Sequence, residues 1–160
     1  MNAIVRQESQ ALLGSQENQA LLDNTPITAG RYIAHVAVPC RDLDEAARWY
    51  AEVLGAQPVR ILKDRVTFSF GGVLQLVCHL ESAEIVRRPR PYPRHHGLTF
   101  LRMEEFLRMK KHIQELGIKF LVRPAVRFPR TAHEHQTFML ADPSGNAVEF
   151  KCYVRPECSY

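Results

Sequence analysis

A chain of 160 residues with 46% hydrophobic and 24% charged content carries enough apolar material for one buried core or two closely packed half-domains. The opening MNAIVRQESQALLGSQENQALLDN lacks the basic head and continuous apolar stretch of a secretory signal, and no later run nears the roughly 20 apolar residues that cross a bilayer, so a cytoplasmic protein with no membrane partner is expected. The 21 Lys and Arg against 17 Asp and Glu leave a net charge of +4, but the arginines crowd into IVRRPRPYPRHH and VRPAVRFPR, which proline interrupts and no regular aromatic spacing accompanies. That pattern argues against a nucleic-acid partner; the sharper use of arginines near a pocket is to attract an anionic small substrate, and solvated loop charge is the ordinary reading of any single one.

Residues 1–30 are rich in Gln, Asn, Ser and Ala; Gly14 and Ser15 break the only apolar periodicity, so a weakly helical or disordered extension is expected. A first β-α-β-β-β module spans 31–80. YIAHVAV reads as a strand, and RDLDEAARWYAEVLG as a helix with a capping box at Asp42 and Glu45 and a stop at Gly55. PVRILK, VTFSF and VLQLVC then supply three strands, parted by Lys63-Asp64 and by Gly71-Gly72.

Residues 81–94 form a linker, because Pro89, Pro91 and Pro93 at alternate positions cannot lie inside a sheet. The second module, 95–154, repeats the order: HGLTFL, the helix EEFLRMKKHIQELG stopping at Gly117, then KFLV, HQTFMLA and AVEFKCY, with DPSGN as the turn before the last strand. Residues 155–160 are a tail. The class is α+β, two modules forming a cupped mixed sheet. Cys40, Cys78, Cys152 and Cys158 show no CxxC spacing and three lie in or beside apolar strands, as reduced packing thiols do.

The duplication locates candidate chemistry. His35 and His96 stand 61 residues apart, each opening an apolar run and reaching a glycine 20 or 21 residues on. Each module ends on a strand with one inward polar residue, Gln75 or Glu149. Strand alternation sets His35 with Ile33 and Ala37, and sends Val36, Val148 and Phe150 to the opposite face, against the helices. His35, His96 and Glu149 are therefore candidate metal ligands, with Gln75 a weak carbonyl donor or a support for one. The second copy holds 13 extra residues, assigned to the proline-broken VRPAVRFPRTAHEH. His133 and His135 flank that loop, and His135 is the candidate for moving a substrate proton. His79 shares the Gln75 face as an exposed strand end, and Tyr153 reads as packing.

The paired modules, the openings AHVAV and HHGLTF, the helix DLDEAARWYAEVLG and the closing DPSGNAVEF resemble the vicinal oxygen chelate superfamily, over about residues 31–153. That group includes lactoylglutathione lyases, fosfomycin-resistance thiol transferases, extradiol dioxygenases and bleomycin-sequestering proteins. The resemblance implies metal ligands where His35, Gln75, His96 and Glu149 stand. Two histidines and one carboxylate are similar to the set of extradiol dioxygenases and fosfomycin enzymes; Gln75 departs from bacterial glyoxalases, which have glutamate there. It further implies Fe2+, Mn2+ or Zn2+, a small substrate chelated through adjacent oxygens, Glu149 as a catalytic acid–base group, and a homodimer. Extradiol-type dioxygenation ranks ahead of thiol transfer to an epoxide antibiotic and of glyoxalase-type lyase or isomerase chemistry. The alternative from another class is a metal-free protein that sequesters an antibiotic-like compound.

Overall fold

Apolar strand runs and amphipathic helices build two copies of one unit, seen in a computed structural model that describes residues 33–83, 85 and 88–159. The first copy runs β1 (Ala34–Cys40), α1 (Leu43–Leu54), β2 (Pro58–Ile61), β3 (Arg65–Phe70) and β4 (Leu74–Leu80). The second runs β5 (His96–Phe100), α2 (Met103–Glu115), β6 (Val122–Arg127), β7 (His135–Ala141) and β8 (Ala147–Tyr153), followed by a 3-10 turn at Pro156–Cys158. The sheets have the orders β1-β4-β3-β2 and β5-β8-β7-β6. In each, the first and last strands pair in parallel and the remaining pairs are antiparallel. This is the expected pair of β-α-β-β-β modules. The extension expected over 1–30 lies outside the described residues.

α1 begins where Asp42 accepts a hydrogen bond from the Glu45 backbone N–H at 2.7 Å, and ends on Gly55 at φ 65°, a left-handed conformation that favours glycine. Its inner face, Ala46 and Tyr50, packs with Val38, Cys40, Val66, Phe68, Leu76 and Cys78 of the first sheet. In the second module Phe106 and Ile113 of α2 pack with Phe138, Leu140, Val148, Phe150 and Cys152. Val53 of α1 belongs to this second core, so the modules share apolar surface. Cys40, Cys78 and Cys152 are buried, and the four thiols are free.

One strand moves relative to the sequence expectation. KFLV is not a strand. β6 starts at Val122 and runs through Pro124 into the stretch assigned to a loop, leaving 128–134 as the tip. It is an edge strand with a register shift between Val122 and Ala125, a place where a proline costs no ladder hydrogen bond. The tip holds two non-glycine residues at positive φ, Phe128 at 49° and Arg130 at 65°.

Candidate metal and substrate site

Each helix covers one face of its sheet and leaves the other open. On β8, Val148, Phe150 and Cys152 face α2, whereas Ala147, Glu149 and Lys151 face away. The parallel pairing of β5 with β8 sets Gly97 opposite Glu149 and His96 opposite Val148. Residues in register share a face, so His95 and Gly97 lie with Glu149 while His96 lies with the core. The adjacent histidines therefore point in opposite directions.

His96 leaves the expected ligand set for this reason. Its Nε2 is 3.4 Å from the hydroxyl of Tyr50, which donates to Oδ2 of Asp142 at 3.1 Å. Burial, helped by the neighbouring His95, lowers its pKa to about 4, so the ring is neutral at physiological pH. Asp142 joins the modules from the β7–β8 turn. It accepts from the Ser144 and Asn146 backbone N–H groups and from Asn146 Nδ2, which also donates to the Pro39 carbonyl of β1 at 2.8 Å. Burial raises the Asp142 pKa above the ordinary value, and these hydrogen bonds oppose the rise.

His95 takes the place that the repeat assigned to His96. Its Nδ1–H donates to the Pro91 carbonyl at 3.0 Å, leaving Nε2 facing Oε2 of Glu149 at 3.4 Å. Glu149 is 6% exposed; its Oε1 accepts from the Thr137 hydroxyl at 2.8 Å, and Lys151 Nζ stands 3.0 Å from Oε2. Burial alone would raise its pKa, but Thr137, Lys151 and His95 outweigh it and hold the carboxyl below its usual value. Glycine is required at position 97, because a Cβ there would lie 1.9 Å from the Glu149 carbonyl oxygen.

The chemistry of this pair fits a divalent ion. A histidine whose Nδ1–H is fixed on a carbonyl presents Nε2 as a ready donor. A separation of 3.4 Å suits two donors that each sit about 2.0–2.2 Å from one ion. His35 is exposed on the open face of the first sheet and is paired in register with Gln75. Among the described residues, no three His, Cys, Asp or Glu side chains gather in one group, so His35 does not join the His95–Glu149 pair.

His135 is buried on the open face of β7, its ring 4.9 Å from that of Tyr153 and 5.7 Å from that of Phe128, with Nδ1 on the His133 carbonyl. It lies opposite Tyr153, four residues along β8 from Glu149, or roughly 13 Å of strand. That distance separates it from the pair, so its expected proton-transfer role gives way to packing beside Tyr153. His79 is partly exposed at the end of β4, as its position implied.

A cavity of about 600 Å³ adjoins the pair, between residues 88–96 and β1; its lining includes Arg88, Arg90, Arg94, Tyr92, His95 and Asn146. A second cavity, of about 780 Å³, is lined by Arg41, Ser82, Asp142 and Gly145 and contains neither His95 nor Glu149. Arg41 is already held by Glu45 at 2.6 Å, so the smaller cavity is the one with available chemistry.

The parity of β5 is the signal that distinguishes the two histidines in the sequence. Leu98 and Phe100 mark the core face and share it with His96, not His95.

A family model described as the Glyoxalase/Bleomycin resistance protein/Dioxygenase superfamily matches residues 32–150. The crystal structure of a glyoxalase/bleomycin resistance protein/dioxygenase from Alicyclobacillus acidocaldarius is 41% identical, with a TM-score of 0.75 over 81% of this chain and 97% of that one. A virulence protein of Salmonella typhimurium is 28% identical over 123 residues, 76% of this chain and 84% of the relative. Lactoylglutathione lyase from Agrobacterium tumefaciens shares the fold at 24% identity, with a TM-score of 0.59 over 77% of this chain and 94% of that one.

Proposed function

Because the chain belongs to the Glyoxalase/Bleomycin resistance protein/Dioxygenase superfamily, we propose that it is a metal-dependent enzyme acting on a small molecule through two adjacent oxygen atoms. The observation that carries this reading is the His95–Glu149 pair, a donor-ready imidazole 3.4 Å from a buried, ionised carboxylate. His95 and Glu149 would hold the ion; among the described residues no third His, Cys, Asp or Glu side chain gathers with them. A bound Fe2+, Mn2+ or Zn2+ supplies Lewis acidity and, as iron, access to dioxygen.

The side chains around the pair have separate tasks. Thr137 holds one carboxylate oxygen and so orients the other. The Pro91 carbonyl fixes the His95 tautomer. Lys151 keeps Glu149 ionised and retreats on its flexible stem when a dication takes its place. One imidazole and one carboxylate leave open positions for a bidentate substrate, and ring-opening dioxygenation of a vicinal diol is ranked ahead of lyase or thiol-transfer chemistry on the family resemblance.

Metal analysis of chain reconstituted with each ion tests the reading. His95→Ala and Glu149→Ala lose the ion, while His96→Ala, on the other face, keeps it. Loss with His96→Ala and retention with His95→Ala overturns the ligand assignment.

One observation favours a second reading. The Lys151 ammonium already neutralises Glu149, as suits a metal-free protein that sequesters its ligand. It predicts stoichiometric ligand binding that a chelator leaves unchanged.

Two further parts of the proposal are a homodimer and a reducing, cytoplasmic setting. Exposed Ile33, Val59, Ile61, Leu62 and Val73 on the first module support the former, and the four free thiols the latter. Sedimentation equilibrium checks the dimer. Among the described residues, no helix is long and apolar enough to cross a membrane.

A further inference from the structure

We propose that the 600 Å³ cavity beside His95 takes a small organic dianion, its phosphate, phosphonate or paired carboxylates held by Arg88, Arg90 and Arg94 and its apolar part resting on β1. The inference names the substrate class of the site proposed above and rests on that reading only in placing the substrate next to His95.

The charge pattern carries it. The lining includes three arginines and no aspartate or glutamate. Among the described residues, no carboxylate oxygen lies within 4.0 Å of the guanidinium nitrogens of Arg88, Arg90 or Arg94, as is also true of Arg48, Arg60, Arg123, Arg127, Arg130 and Arg155; what sets the three apart is that they line one cavity. Three like charges gathered around one concavity without counter-charge repel one another until an anion enters. Guanidinium is also the side chain whose planar fork matches the oxygens of phosphate and carboxylate.

The arginines stand on a preformed support. Pro89, Pro91 and Pro93 alternate with Arg88, Arg90 and Arg94 along the segment, and each proline fixes its own φ. The segment is tied down by the His95–Pro91 hydrogen bond and by the edge-on contact of the Tyr92 and His95 rings, 5.6 Å apart at 86°. A support rigid before binding loses little freedom when the ligand arrives. Opposite, Ala37 and Pro39 of β1 present an apolar surface, and the volume falls within the range of small-molecule sites. The occupant is thus an acid with an apolar body, not a bare inorganic ion.

Isothermal titration of the full chain at fixed ionic strength, with phenyl phosphate, phthalate, phenol and benzylamine as probes, tests this. Phenyl phosphate or phthalate is expected to bind at least tenfold more tightly than phenol, with the better of the two telling phosphate from paired carboxylates, and benzylamine is not expected to bind. Arg90→Gln/Arg94→Gln weakens the dianion at least tenfold, and Arg90→Lys/Arg94→Lys restores part of the loss. Metal uptake separates this inference from the preceding one. The arginine variants keep the ion, whereas His95→Ala loses it and still binds the dianion. Equal binding of phenol and phenyl phosphate, or an unchanged dissociation constant in the glutamine variant, overturns the proposal. So does displacement of the dianion by a short single-stranded oligonucleotide with steep salt dependence, which would mark a polyanion surface instead.

Discussion

Gly97 and Asp142 show how single residues hold the two faces of the second sheet. A methyl group at position 97 meets the Glu149 backbone, which cannot yield as a flexible side chain would. Gly97→Ala is therefore expected to cost about 3 kcal/mol in urea denaturation, at the upper end of overpacking penalties. Asp142 works through its acceptors. In Asp142→Asn an amide replaces Oδ2 and meets the donor Nδ2 of Asn146, a mismatch expected to cost about 1–3 kcal/mol. The pH dependence has a definite sign. The folded-state pKa of Asp142 lies above the 3.8 of the free group, so the unfolded chain releases this proton first. Through the window upward from 3.8 to the folded value, rising pH removes stability from the wild type but not from Asp142→Asn. The stability difference between them should shrink across that window and stay flat on either side. At this scale the candidate site was only half legible. Glu149 and its face follow from Val148 and Phe150, but the echo of His35 pointed to His96 because repeat spacing ignores strand parity, where one residue reverses the side chain.

The helices and strands differ in how fully sequence specifies them. α1 has both ends fixed, by Asp42 and by Gly55, and the sequence reads its limits to within a residue or two. α2 enters from Arg102, whose backbone is extended as an N-cap requires but whose side chain makes no capping bond. Asp42→Ala should lower stability by about 1 kcal/mol, and Arg102→Asp should raise it by about 0.5–1 kcal/mol. Paired urea melts of the two variants check both signs. β8 matches its run AVEFKCY because alternation is unbroken there, and β7 matches HQTFMLA because a continuous buried run is bounded on both sides by turns. β6 was displaced because local sequence does not reveal whether a strand lies at an edge, where Pro124 is tolerated. The gathering of arginines at the cavity was legible in composition. Their placement beside His95 was not, because it depends on where the proline segment lies against β1.

For the molecule as a whole, the two modules are joined by more than their linker. Val53 sits in the core of the second module, His112 of α2 reaches the Glu52 carbonyl at 2.9 Å, and Asn146 bonds β1. Residues from Ala34 onward thus form one compact unit. Calorimetry should record one transition for both modules, with calorimetric and van't Hoff enthalpies equal. Two resolved transitions would mean that these bridges are too weak to couple the cores. The duplication itself was readable from the spacing of histidines and glycines, and the family from the motifs it repeats. The reaction was not, because it depends on which donors converge from separate sheets.

The back-to-back histidines set a rule for how β5 can vary. Swapping one side chain for another leaves its neighbours facing as before, but inserting or deleting a single residue between His95 and Leu98 shifts the phase of the strand. Whichever flank moves, one apolar or aromatic group turns toward substrate or one imidazole toward oil. A change of length here should therefore disturb both faces at once, whereas a substitution acts only at its own position.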